Sequence, residues 1–144
     1  MSYIDENLID NEKVIHRGKL HFMSFFPGVM IIILGVLLGG TEFGGFIIFF
    51  GVLAFIASLI NYIKSEYGIT NKRVIMKTGA LRKKVVDLQY SNLESVQYNQ
   101  GILGGIFGYG QIVITGSGGT KFKFPNISNA NEFKNKAQNE LSKK

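Results

Sequence analysis

Residues 22–39 read FMSFFPGVMIIILGVLLG and residues 43–63 read FGGFIIFFGVLAFIASLINYI, with Gly40, Thr41 and Glu42 between them. Neither run contains a charged side chain. As α-helices the runs would extend ~27 Å and ~31 Å, close to the ~30 Å hydrocarbon core of a bilayer. Three residues are too few to form a folded domain between the runs. The sequence therefore predicts a helical hairpin over 22–63 that crosses a membrane twice, with spans at 22–39 and 43–63.

The charges that flank the two runs predict the orientation of the hairpin. Lys13, Arg17 and Lys19 precede the first run, Lys64 and Lys72 follow the second, and the connection carries only Glu42. Lysine and arginine are enriched on the cytoplasmic side of membrane proteins. We therefore expect a protein of the cell membrane (inner or plasma) with both termini in the cytoplasm. A soluble protein with two core helices is disfavoured, because the remaining residues are too few to cover both helices on all sides.

Residues 64–144 show a different pattern, which predicts a separate cytoplasmic domain. Apolar and polar residues alternate with a period of two in several short segments, namely 67–70, 73–77, 85–90, 96–99, 111–115 and 121–124. Such short connections favour antiparallel pairing, because parallel strands need longer crossovers. Ala130, Phe133, Ala137 and Leu141 then fall on one stripe of a C-terminal helix. We expect a strongly bent antiparallel sheet, or partly open barrel, capped by that helix. Residues 1–21 form an N-terminal cytoplasmic segment in which 13–19 could supply one more strand.

Several short motifs support a resemblance to a known family. Residues 67–74 read YGITNKRV, 79–81 read GAL, 88–96 read LQYSNLESV and 108–112 read GYGQI. Their order around a two-span anchor resembles the membrane-anchored form of the bacterial pleckstrin-homology-like (PH-like) domain family, over about residues 12–144. The resemblance implies a two-helix transmembrane hairpin plus an α+β PH-like module. It also implies a binding or assembly role without catalytic residues.

The chemistry-bearing residues do not form a pattern typical of an active site. The glycine-rich segment 101–110 lacks the Gly-Lys-Ser/Thr ending of a phosphate-binding loop. His16 and His21 lack a third ligand residue nearby, and the chain has no cysteine. We predict no catalytic residue, metal site or cofactor, and no nucleic-acid partner, because an aromatic and basic stacking platform is missing. Apolar side chains in this segment are expected to fold back onto the core, the alternative being insertion into the membrane interface; they are Ile102, Leu103, Ile106 and Phe107.

Two groups of residues are candidates for contacts. The first is basic and is expected to contact anionic lipid headgroups or a partner, the alternative being that its charges only maintain the topology. It comprises Lys72, Arg73, Lys77, Arg82, Lys83 and Lys84. The second consists of small residues spaced by four in the hairpin, which favour close packing of its two helices, or alternatively self-association. It comprises Gly35, Gly39, Ala54 and Ser58.

Together these features predict a non-enzymatic, membrane-anchored PH-like binding or adaptor module at the cytoplasmic face. Besides the lipid bilayer, its expected contacts are a membrane-protein partner, anionic lipid headgroups or a second copy of the chain. An accessory subunit of a membrane transport or export assembly, with the hairpin as its working part, is the alternative.

Overall fold

The computed structural model describes residues 2–79 and 82–143, so Met1, Ala80, Leu81 and Lys144 lie outside the described residues. Ala80 and Leu81 belong to the 79–81 motif, so this part of the motif lies outside the described residues. The helices are α1 (Tyr3–Glu6), α2 (Phe26–Leu37), α3 (Gly44–Lys64), α4 (Ile102–Phe107) and α5 (Ala130–Ser142). The strands are β1 (Val14–Gly18), β2 (Glu66–Thr70), β3 (Arg73–Thr78), β4 (Lys84–Gln89), β5 (Leu93–Asn99), β6 (Tyr109–Gly116) and β7 (Lys121–Ser128).

The apolar residues 22–63 form two packed antiparallel helices of unequal length. Within the described chain, α3 is the one helix long and apolar enough to cross a membrane, with a mean hydropathy of 2.4 and 6% of its apolar window buried. The first helical segment, Phe22–Leu37, is shorter, because it starts with a 3-10 turn (Phe22–Phe25) and α2 ends before Gly39 and Gly40. Of the two predicted membrane spans, α3 is therefore long enough to be supported, and the shorter first helix is not.

Glycines spaced by seven residues let α2 and α3 approach closely. A Cβ atom at Gly28 would lie 2.9 Å from the backbone nitrogen of Phe55, and one at Gly51 would lie 2.9 Å from that of Ile32. The buried glycines of the hairpin are Gly28, Gly35, Gly44 and Gly51. Of the residues proposed from the spacing of four, Gly35 lies in this interface, Gly39 follows the end of α2, and Ala54 and Ser58 are half-buried.

The remaining strands form two antiparallel sheets, ordered β1-β2-β3-β4 and β5-β6-β7. β1 lies before the hairpin in the chain and β2 lies directly after it, yet the two strands pair, with Gly18 opposite Tyr67. The hairpin is therefore inserted between neighbouring strands, and both of its helices meet the module at the same end. An isolated bridge joins Leu20, two residues after the end of β1, to Ile127 of β7.

The core lies between the two sheets and is covered by α5. Phe133 and Ala137 of α5 are fully buried, and they pack with residues of both sheets such as Tyr67, Ile112 and Phe124. The antiparallel strands and the closing C-terminal helix that the sequence predicts are confirmed. The bent sheet is divided in two because the 3-10 turn Tyr90–Asn92 breaks the chain between β4 and β5.

Candidate functional site

The base of the hairpin is hydrogen-bonded to the β module through Asn61, in the last turn of α3. Its Oδ1 accepts hydrogen bonds from the backbone N–H of Gly79 (3.1 Å) and from the hydroxyl of Ser65 (3.2 Å). Gly79 has φ of +114°, a conformation that side-chain-bearing residues rarely adopt. The connection between β3 and β4 is thereby held against the end of α3. We call this region, together with Ser24 before α2, the hairpin-proximal end.

A cleft of about 210 Å³ opens at the hairpin-proximal end. Ser24 and Asn61 line it on the hairpin side, and Lys84 and Lys123 line it on the side of the sheets. Within the described part of the chain, the hydroxyl of Ser24 is buried and makes no hydrogen bond. Burial raises the pKa of Tyr67, which also lines the cleft, to about 12. The cleft thus combines two cations with neutral polar groups.

Lys84 reaches from β4 toward the neighbouring sheet. Its Nζ lies 5.8 Å from the ring centroids of both Phe122 and Phe124 on β7. The aliphatic stem of a lysine can cover apolar surface while its ammonium group stays hydrated. Lys84 therefore covers the edge of the core and presents its charge at the cleft. Lys123, which alternates with Phe122 and Phe124 along β7, lies at this cleft because β7 borders it.

The other basic residues of the predicted cluster are dispersed. Lys77 and Lys83 both lie over the Tyr3 ring, with Nζ 5.0 Å and 4.4 Å from its centroid, and Arg82 is exposed. Lys72 and Arg73 lie at the turn between β2 and β3, at the far end of these strands from the hairpin. Lys72 donates to the carbonyl of Asp10, and the Arg73 side chain, 13% exposed, pairs with Glu12 and Asp87. Of the six predicted residues, the structure brings Lys84 to the cleft.

Two of the residues that line the cleft are weakly indicated by the sequence. Asn61 is a polar residue near the end of an uncharged helix, and Ser24 is a polar residue at the start of the other apolar run. Each polar residue alone is unremarkable at a helix end. Lys123 carried no distinguishing signal, because strand alternation alone does not reveal which residues border the second sheet.

Comparison with protein families agrees with this architecture. The model of the family described as Bacterial PH domain matches residues 21–141. The chain belongs to the bacterial PH domain family. PH domains are generally non-catalytic binding modules, and this one has the two antiparallel sheets and the C-terminal helix of the fold. No curated protein and no solved structure matches the chain significantly.

The apolar side chains of α4 do not pack into the core of this PH domain. Ile102 is 87% exposed and Ile106 is 70% exposed, and Leu103 and Phe107 are about half exposed. The expectation that these residues fold back onto the core is therefore wrong. The reason is the backbone: the helix packs through Gly104, whose Cβ position lies 2.4 Å from the carbonyl of Tyr109. This contact turns the larger side chains outward.

His21 joins the start of the hairpin to α4. Its Nδ1 accepts a hydrogen bond from the backbone of Met23, which leaves Nε2 as the donor to the carbonyl of Phe107 at 3.1 Å. The ring also stacks on Tyr109 at 5.0 Å between centroids. His16 lies elsewhere, against Phe133. Among residues 2–79 and 82–143, no three histidine, aspartate or glutamate side chains are grouped so as to hold a metal ion.

Glu66 attaches the N-terminal helix α1 to the hairpin-proximal end. Its carboxylate accepts hydrogen bonds from the hydroxyl of Ser2 (2.6 Å) and from the backbone N–H groups of Tyr3 (3.0 Å) and Ile4 (3.3 Å). Burial acts to raise the pKa of Glu66, but these hydrogen bonds outweigh it and hold the pKa below the ordinary value of 4.5. A charged carboxylate is thus favoured at the N-terminus of the helix.

The attachment of α1 is expected to weaken in acid. Because the folded-state pKa of Glu66 is lowered, its stabilising contribution is complete above pH 4.5 and is lost as the pH falls through the lowered pKa. We expect the amide resonances of Tyr3 and Ile4 to shift toward disordered values over this range in an NMR titration. In Glu66→Gln, they should already be shifted at pH 7 and change little on acidification. An unchanged pH response in Glu66→Gln would contradict this assignment.

Proposed function

We propose that this PH domain is a non-enzymatic binding module, anchored by its hairpin at the cytoplasmic face of the cell membrane, that binds anionic lipid headgroups. The observation that carries the proposal is the composition of the cleft. Lys84 and Lys123 from the two sheets line the same cavity as Ser24 and Asn61 from the base of the two apolar helices. The cations therefore sit where a bilayer that contains the hairpin would present its headgroups.

The lengths of the two apolar helices and the charges that flank them support the membrane anchor. The helix α3 extends ~31 Å at 1.5 Å per residue, and α2 with its 3-10 turn extends ~26 Å. Tilting or local thinning of the bilayer accommodates a difference of this size from a ~30 Å core, so we propose that both helices span it. The positive charge flanking the hairpin favours cytoplasmic termini. The cytoplasmic module then comprises 64–144 together with 1–21, whose strand β1 joins the first sheet.

The polar groups that line the cleft suit an anionic lipid headgroup. Lysines near the surface of an anionic leaflet each contribute ~1 kcal/mol of attraction. Lys84 and Lys123 supply that charge, and the hydroxyls of Ser24 and Tyr67 supply donors for phosphate oxygens. Ser24 is suited to this because its buried hydroxyl has no partner among the described residues. Arg82 and Lys83, exposed beside Lys84, add charge around the cleft.

The test is a titration of the full chain in a zwitterionic detergent with short-chain phosphatidylglycerol and, separately, phosphatidylcholine. We expect selective binding of phosphatidylglycerol, seen as chemical-shift changes in residues that line the cleft. In Lys84→Gln/Lys123→Gln, two lost lysines at ~1 kcal/mol each should weaken that binding roughly 30-fold. Glutamine keeps two of the four methylene groups of lysine, so part of the covering of the core edge by Lys84 is retained.

Lys134→Gln/Lys136→Gln is the matched control, because it removes the same charge from α5 rather than from the cleft. Its phosphatidylglycerol affinity should stay within about twofold of the parent chain. Equal weakening in both double variants would indicate non-specific attraction. Binding that survives in Lys84→Gln/Lys123→Gln would remove the headgroup site and favour a membrane-protein partner or a second copy as the ligand.

A further inference from the structure

We propose that α4 is a second membrane contact, which inserts its apolar side chains into the interface of the same leaflet that the hairpin enters. This inference rests on the proposed membrane anchoring and adds a surface that the anchor does not require. The first observation is the exposure of α4 itself. Ile102 and Ile106 have 87% and 70% of their surface accessible, far more than a soluble module usually leaves on adjacent large apolar residues.

The second observation is the position of α4 beside the hairpin. The rings of Phe107 and Phe22 lie 6.4 Å apart in an edge-to-face arrangement, and Phe22 is the first residue of the apolar segment. Phe22 is itself 57% exposed. The His21 side chain also donates to the carbonyl of Phe107 at 3.1 Å. The apolar surface of α4 is thus continuous with that of the hairpin, which identifies a lipid surface as its occupant.

The third observation is that α4 is held firmly, although its outer face is unpacked. The side-chain amide of Gln100 donates to the carbonyls of Gly104 (3.0 Å) and Tyr109 (3.3 Å). Gly108, with φ of +80°, ends the helix, and its N–H bonds to the carbonyl of Gly104 at 2.8 Å. These bonds satisfy backbone groups at the C-terminal end of α4, which lowers the free-energy cost of placing this end of the helix in an apolar environment.

The fourth observation is the charge pattern. Residues 95–120 contain no charged side chain, a longer uncharged stretch than either apolar run of the hairpin. The binding of an interfacial segment grows with the apolar area that it buries, and burying an unpaired charge in an apolar environment costs free energy. A second contact beside the hairpin would limit rotation of the module about its anchor and keep the cleft at the level of the headgroups.

The chain contains no tryptophan, so single-tryptophan variants can report the depth of each position. Ile106→Trp, Leu53→Trp at the middle of α3 and Lys136→Trp on α5 are reconstituted in phosphatidylcholine bilayers brominated at shallow or deep acyl positions. We expect Ile106→Trp to emit at blue-shifted wavelength and to be quenched best by shallow bromines. Leu53→Trp should be quenched best by deep bromines, and Lys136→Trp should not be quenched.

The outcomes separate this inference from the proposed anchoring. If Ile106→Trp is quenched no more than Lys136→Trp while Leu53→Trp is quenched, α4 does not touch lipid but the anchor stands. A blue-shifted yet unquenched Ile106→Trp would mean that protein covers α4, and it would also overturn the inference. If Leu53→Trp is unquenched as well, the result contradicts the proposed membrane anchoring, on which the inference about α4 rests. Phosphatidylcholine carries no net charge, so the result does not depend on the lysine cleft.

Discussion

Replacing Glu12 with alanine is expected to lower the free energy of unfolding by about 3–5 kcal/mol, because it removes the buried carboxylate that pairs with the largely buried Arg73 and leaves that guanidinium with the partly exposed Asp87. The side chain of Glu12 is fully buried, and its carboxylate accepts from Arg73 Nε (2.9 Å), from the hydroxyl of Thr70 (2.7 Å) and from the backbone of Ile9 (2.8 Å). Burial acts to raise the pKa of Glu12, and the bonds from Arg73, Ile9 and Thr70 outweigh it, so the pKa is lowered.

Urea titration of the full chain in detergent, followed by near-ultraviolet circular dichroism, measures this change. Glu94→Ala, which removes an exposed glutamate from β5, is the control and should stay within about 0.5 kcal/mol of the parent. The double variant Glu12→Leu/Arg73→Met should be less destabilised than Glu12→Ala, since it removes both charges together. A loss below about 1 kcal/mol in Glu12→Ala would contradict a role for this pair in holding the N-terminal segment on the sheet.

Replacing Gly51 with leucine is expected to separate the two helices of the hairpin. The new Cβ would lie 2.9 Å from the backbone nitrogen of Ile32 and 2.8 Å from its side chain, and a backbone atom can move away only if the helix moves. Overpacking of this kind costs about 1–3 kcal/mol, and close approach of small residues is a main source of helix association in lipid. Unfolding in mixed micelles with rising fractions of dodecyl sulfate measures the loss by circular dichroism.

Gly45→Leu is the matched control on the same helix. A Cβ atom at Gly45 would meet nothing within 4 Å among the described residues, so this variant adds the same side chain without a clash. We expect it to unfold at the dodecyl sulfate fraction of the parent chain or slightly above, because leucine favours the helix over glycine. Equal losses in Gly51→Leu and Gly45→Leu would mean that the hairpin does not depend on its glycine interface.

The local patterns of the chain predicted most of the fold. The period of two at 85–90 and 111–115 became β4 and β6, and the stripe that contains Phe133 became the buried face of α5. These predictions succeeded because period and burial are linked along a single element. The glycine spacing was harder to interpret. The spacing of four predicted a helix contact at Gly39, which follows the end of α2. In the structure, the contacts with α3 are made by Gly28 and Gly35, which are seven residues apart.

The predicted basic cluster was a poor guide to the site, because neighbours along a chain point in different directions once strands form. Arg73 lies in an internal ion-pair network, and Lys77 and Lys83 pack around Tyr3. The exposure of α4 was also out of reach of the sequence. Ile106 in a glycine-rich loop is equally compatible with a core and with a surface, and the contact of Gly104 with Tyr109 decides between them.

The sequence by itself determined the two apolar helices, the antiparallel strands and the amphipathic closing helix, since each of these follows from periodicity or hydrophobicity within one segment. Only the tertiary structure determines which lysine side chains line the same cleft. Lys84 and Lys123 lie on edge strands of different sheets and reach one cleft because the sheets close around a shared core. It also decided that this cleft lies beside the hairpin, because β1 and β2 pair across the inserted helices and bring both helix ends to one side of the module.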